Sequence, residues 1–176
     1  IKWRADITYM KRHISILKEG AKAWNQFRKE NKHKKISFYK LNLKNYILKG
    51  YKFINVWFFN CKFENCKIIN TIFEKGWMLH VNFKNTIIEK TILFHDPWIL
   101  LDKREITPKY FNKIAGKESI SYSNFNKCII INSEINNLGS YCVLKNLKVT
   151  NSIINPRRSL EIKNSNFKNT KIYGIL

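Results

Sequence analysis

Four cysteines and four histidines are the residues in this chain best suited to chemistry, and their spacing decides what is open to them. Cys61, Cys66, Cys128 and Cys142 match no common zinc-ligand spacing, and none of His13, His33, His80 and His95 joins them in sequence. The acidic side chains are isolated, with no pair spaced for general acid and base work. A phosphate-binding glycine loop is missing, as is a serine nucleophile signature. The expectation is a protein with no catalytic residues, no metal and no cofactor. The cysteines instead suit packing, where a free thiol behaves as a small hydrophobe, and they point to a reducing, cytoplasmic setting without disulfides.

What places those cysteines is a repeat. From residue 38 a large apolar side chain returns at every fifth position: Phe38, Leu43, Leu48, Phe53, Phe58, Phe63, Ile68, Phe73, Met78, Phe83, Ile88 and Leu93. Two residues before each lies a second, generally smaller series: Ile36, Leu41, Tyr46, Tyr51, Val56, Cys61, Cys66, Thr71, Gly76, Val81, Thr86 and Thr91. A period of five fits neither an amphipathic helix nor an isolated strand. It fits a chain that runs straight for a few residues, points both series inward by strand alternation, and then turns a corner. Four such units close a square turn of about 20 residues, and stacked turns pair at the ordinary interstrand spacing of about 4.8 Å.

Segments such as Cys61-Lys62-Phe63-Glu64-Asn65, Thr86-Ile87-Ile88-Glu89-Lys90 and Ser165-Asn166-Phe167-Lys168-Asn169 resemble the pentapeptide-repeat family. Gly20 to Arg28 is similar to the helical lead-in that often precedes such repeats. The resemblance, which covers most of residues 14–176, implies an all-β solenoid. Its form is a right-handed quadrilateral β-helix of about six coils with an N-terminal amphipathic α-helix as cap. The bulky Ile36, Leu41, Tyr46 and Tyr51 depart from the family's small-residue position and predict a less regular first turn. Some family members protect DNA topoisomerases by imitating the charge of duplex DNA, but such rods are acidic. This chain carries 33 Lys and Arg against 12 Asp and Glu, a formal charge of +21, so its sign is wrong for that mechanism.

Four segments follow. Residues 1–35 form the helical cap, with an amphipathic helix expected over 7–30 on Ile7, Met10, Ile14, Leu17, Ala21 and Trp24, N-capped by Asp6. The cap covers an end that would otherwise be a bare sheet edge; a helix lying on a membrane surface is the alternative. Residues 36–95 are regular coils and 96–120 an insertion. Residues 121–176 are coils with irregular fourth sides, in groups led by Phe125, Leu144 and Ile162, with 137–141 and 155–159 supplying the missing sides.

Counting sides from Phe38 puts Tyr39, Trp57, Phe59, Trp77 and Leu79 on the outer surface of side one, together with the insertion and every break in the repeat. Two readings stay open for this face. Trp98, with its apolar neighbours Ile99 to Leu101, folds back over it as a private second core. Otherwise part of it, rimmed by Lys40, His80, Arg157 and Arg158, is a partner site rich in the residue types of interface hot spots. Asn45, Asn65 and Asn85 fall at corners, one per turn, and suit a hydrogen-bonded ladder. At the far end Ile172, Tyr173, Ile175 and Leu176 suit end-to-end homodimerisation.

The functional expectation is a non-catalytic interaction or scaffold protein that offers a basic, partly aromatic surface to an acidic protein partner. The alternative is nucleic-acid binding, with a positive rod following phosphates and Tyr or Trp stacking on bases. No apolar run approaches the roughly 18 residues of a membrane span, and no secretory signal pattern opens the chain.

Overall fold

The computed structural model describes residues 7–94, 119–156, 158 and 160–173. From residue 36 onward the described chain forms strands of two to five residues, and all of their pairings are parallel. In the regular coils, residues twenty apart sit directly over one another: Leu43 lies under Phe63, and Phe63 lies under Phe83.

Side two stacks six strands through Leu43, Phe63, Phe83, Phe125, Leu144 and Ile162. Side three stacks six through Leu48, Ile68, Ile88, Ile130, Val149 and Phe167. Sides one and four are joined into a single ten-stranded sheet. About six coils therefore make up the solenoid, with three parallel sheets wrapping one core. The aromatic rings of that core stack in register: Phe63 on Phe83 at 4.9 Å and Phe83 on Phe125 at 4.6 Å between centroids.

The corners explain the abundance of asparagine. Among the described residues, twenty that are not glycine have positive φ, and twelve of them are Asn. Asn tolerates the left-handed conformation better than most residues because its short polar side chain bonds locally. Corner N–H groups also find carbonyls in the neighbouring coil, as Asn65 N–H does at Lys84 O, 3.0 Å away. The expected side-chain ladder is present where Asn85 Nδ2 donates to Asn65 Oδ1 at 3.2 Å.

The small inward series has its own logic. Thr71, Thr86, Thr91 and Ser133 are buried, and each hydroxyl lies within reach of the carbonyl two residues back and of one in the coil before, as Thr86 Oγ1 does with Lys84 O and Phe63 O. Such oxygens also accept backbone N–H groups from the preceding coil, for example Thr91 N–H to Ser133 Oγ at 3.1 Å. At Gly76 no side chain fits at all, because a Cβ there would overlap the Val56 carbonyl oxygen.

Two expectations are revised. The helix over 7–30 is two helices, α1 (Ile7–Lys18) and α2 (Ala21–Glu30). The break falls at Gly20, whose φ of 109° no other residue adopts easily. The first coil is regular despite its bulky inward residues, since its strands pair one for one with those of the second. Tyr51 is usefully large there, because its hydroxyl donates to Leu17 O at 3.0 Å and ties the coil to the cap. The later coils contract. Phe125 lies under Leu144 and Leu144 under Ile162, so coils shorten to 19 and then 18 residues. The strand Glu134–Leu138 runs from side four round to side one, where buried Leu138 sits over Ile120 and under Pro156.

The helices act as a surrogate for the strand that the first coil lacks on its open edge. Along side four, Asn25 donates to Gly50 O and accepts from Lys52 N–H, both at 2.8 Å. Trp24 Nε1 donates to Lys52 O at 3.1 Å, and Arg28 donates to Ile54 O through Nε and Nη2. Trp24 is fully buried, its ring packed on Phe38 and Phe53. Asp6, the expected N-cap of α1, lies outside the described residues.

Candidate functional site

Side one owes its outer surface to strand alternation. With Phe38, Phe58 and Met78 held inward, the residues on either side of each must point out, and pairing sets Ser37, Trp57 and Trp77 in one column and Tyr39, Phe59 and Leu79 in the next. Trp57 and Trp77 stack with centroids 5.0 Å apart and planes 10° from parallel, and Phe59 leans on Trp57 at 5.8 Å. The Lys35 ammonium sits over the Trp57 ring, 3.1 Å from its centroid, which is a cation–π contact. Burial against that ring holds the Lys35 pKa below its ordinary value.

Trp57, Phe59, Trp77 and Leu79 are half-buried, and Tyr39 is exposed. Tyr39 also marks where α1 meets this side, since its N–H approaches Met10 Sδ at 3.5 Å. Lys40 stands at the following corner, with its ammonium 5.4 Å from the Tyr39 ring. Of the expected rim, Arg158 is exposed and donates to Ser140 Oγ at 3.5 Å. Trp98 and Arg157 lie outside the described residues, as do Ile175 and Leu176. Ile172 and Tyr173 are each 44% exposed.

One part of this surface escaped the sequence reading. At the corner between sides one and two, His80, Tyr122 and Tyr141 form a column, with rings 5.1 and 5.0 Å apart. All three have positive φ, an unusual conformation for residues this large. Tyr122 and Tyr141 are exposed. The signal was available, because Tyr122 stands one residue before Ser123 and Tyr141 one before Cys142, the corner position of the repeat. The aromatic surface thus starts on the flat of side one in the early coils and moves to its edge in the later ones. Across the described residues of side one and this corner there is no Asp or Glu.

The cysteines stand where the repeat places them. All four are buried free thiols, and burial pushes Cys61 and Cys128 up to about 12. Among the described residues no group of three or more His, Cys, Asp and Glu comes together as a metal site. No helix among them is long and apolar enough to cross a membrane.

No family model and no curated protein matches the chain. Solved structures of pentapeptide-repeat proteins do match. A trypsin-treated form of QnrB1, described as a plasmid-mediated fluoroquinolone resistance protein, is 15% identical; the match covers 78% of this chain and 72% of that one, with a TM-score of 0.41. Rfr23 from the cyanobacterium Cyanothece 51142 is 10% identical, over 85% of this chain and 93% of that one, with a TM-score of 0.28. HetL from Nostoc sp. strain PCC 7120, described as involved in heterocyst differentiation regulation, is 7% identical, over 82% and 92%, with a TM-score of 0.18. The architecture rests on the strand pairing described above.

Proposed function

We propose that this pentapeptide-repeat β-helix is a non-catalytic interaction module that binds an acidic protein through side one and its basic margin. The observation that carries this reading is the aromatic surface formed by half-buried Trp57, Phe59 and Trp77 with exposed Tyr39 and continued by exposed Tyr122 and Tyr141. Cations lie on its margins at Lys35, Lys40 and Arg158, and the described residues of the face include no Asp or Glu. Aromatic anchors with a charged rim are the pattern of an interface hot spot, and the positive margin selects for negative partners.

The second reading, nucleic-acid binding, draws on the overall +21 charge. The ring geometry favours the protein partner over it. Trp57 offers one face to Trp77 and receives Lys35 over its ring, while Tyr122 is stacked between His80 and Tyr141. Rings spent on one another present mainly edges outward, where an unstacked base needs a face.

Affinity capture with the wild type beside a Trp57→Ala, Trp77→Ala double variant tests the first reading. A partner lost from the variant while its circular dichroism is unchanged supports it; equal capture by both contradicts it. If instead the captured species is DNA or RNA and binding weakens steeply with added salt, the second reading takes its place. The exposed Ile162, Ile172 and Tyr173 of the last described coil, together with Ile175 and Leu176, form the dimerisation surface in this proposal. A monomer in analytical ultracentrifugation at micromolar concentration would remove that part alone.

A further inference from the structure

α2 overhangs the first strand of side four, and between them lies a half-open cleft of about 700 Å³. Its chemistry is one-sided. Lys22, Arg28 and Lys29 come from α2, Lys32 from the turn beyond it, and Lys52 from the opposite wall, over an apolar patch at Ile54. Among the described residues no acidic side chain lines it. Asn25 and Gln26 also border it, but their amides are already engaged, with Gly50 and Lys52 and with Glu30 respectively.

Arg28 is the unusual member. Its side chain is only 2% exposed, with Nε and Nη2 donating to the carbonyls of Ile54 and Lys34. Nη1 has no hydrogen-bond partner, and among the described residues no carboxylate forms an ion pair with this guanidinium. A buried cation met by carbonyl dipoles and by the Phe27 ring, 6.0 Å from its Cζ, lacks the full counter-charge that ordinarily offsets its desolvation. Its field reaches the cleft it lines, where four lysines add to it.

We infer that this cleft is a binding site for a small oligophosphate, free or as the phosphate chain of a nucleotide. Five positive charges around a space of this size call for several negative charges held close together, which a single carboxylate does not supply. Lysine ammonium groups serve phosphate oxygens as point charges. The volume lies in the range of small-ligand sites. Ile54 and the lysine stems offer an apolar wall beside the anion. A ligand here would contact both α2 and side four, so it would hold the cap onto the first coil.

Thermal unfolding and titration calorimetry with inorganic phosphate, pyrophosphate, tripolyphosphate and ATP test the site. The expected result is one saturable site per chain, tightening from phosphate to tripolyphosphate and raising the unfolding temperature as ligand is added. The triple variant Lys22→Gln, Lys29→Gln, Lys32→Gln should bind tripolyphosphate about tenfold more weakly or worse. The triple variant Lys84→Gln, Lys145→Gln, Lys163→Gln, which removes the same charge from side two, should bind as the wild type does. ATP binding tighter than tripolyphosphate would identify a nucleotide as the ligand class, and equal binding would identify the phosphate chain alone. No saturable binding at low salt, or equal losses in the two triple variants, would overturn the inference.

Discussion

At the scale of single residues, the cysteines show how position overrides reactivity. A thiol at the small inward position has its proton near backbone carbonyls, as Cys61 Sγ has at Phe38 O and Phe59 O, and it is cut off from water. Burial makes the thiolate costly, which is why Cys61 and Cys128 are pushed up to about 12. The folded protein at pH 8 should therefore resist alkylation by iodoacetamide at both positions and react at both once denatured. Rapid labelling of the native protein would contradict their placement. The sign of the pH effect follows: above about 9 the unfolded chain releases thiol protons that the folded chain retains, so stability falls as pH rises through that range. The sequence was sufficient to place these residues because the small inward position is two before the large one. It was not sufficient for Leu138, which lies outside the five-residue series and is held inward by a shortened coil.

At the scale of elements, the close stacking of coils sets the tolerance of each position. Gly76 lies against the Val56 carbonyl, where a methyl group would run into the oxygen. The obstacle is backbone, so no flexible side chain is there to give way. Gly76→Ala should destabilise the protein by about 1–3 kcal/mol, the usual cost of overpacking, read as a lowered midpoint in urea. An unchanged midpoint would mean that the second and third coils are not in this register. The cap shows the limit of what periodicity can tell. Apolar spacing alone ran the two helices together, because Leu17, Ala21 and Trp24 keep helical intervals across the break at Gly20. The helix side chains that satisfy the open edge of the first coil, Asn25 and Arg28, are polar residues on the coil-facing side. Nothing in a hydrophobic pattern marks polar residues that pair with backbone.

At the scale of the whole molecule, the five-residue period fixes which residues face out as firmly as which face in. Side one could be recognised from sequence as aromatic for that reason, and Trp57 and Trp77 stand in register as expected. Its continuation through Tyr122 and Tyr141 depended on carrying the register across residues 95–118, and on corner residues projecting outward where the flat of the side no longer does. The charge is arranged in a complementary way. Lysine is the commonest outward residue on side two, at Lys44, Lys62, Lys84, Lys145 and Lys163, side three mixes lysines such as Lys67 and Lys148 with isoleucines such as Ile47, Ile87 and Ile129, and side one concentrates rings and keeps its cations at the margin.

Site-specific photo-crosslinking tests that division of faces most directly. A benzophenone amino acid in place of Tyr39 or Tyr141 should trap an acidic polypeptide from the source cells, while the same group in place of Lys84 on side two or Lys168 on side three should not. Trapping of equal strength on all three sides, or on sides two and three alone, would contradict the account.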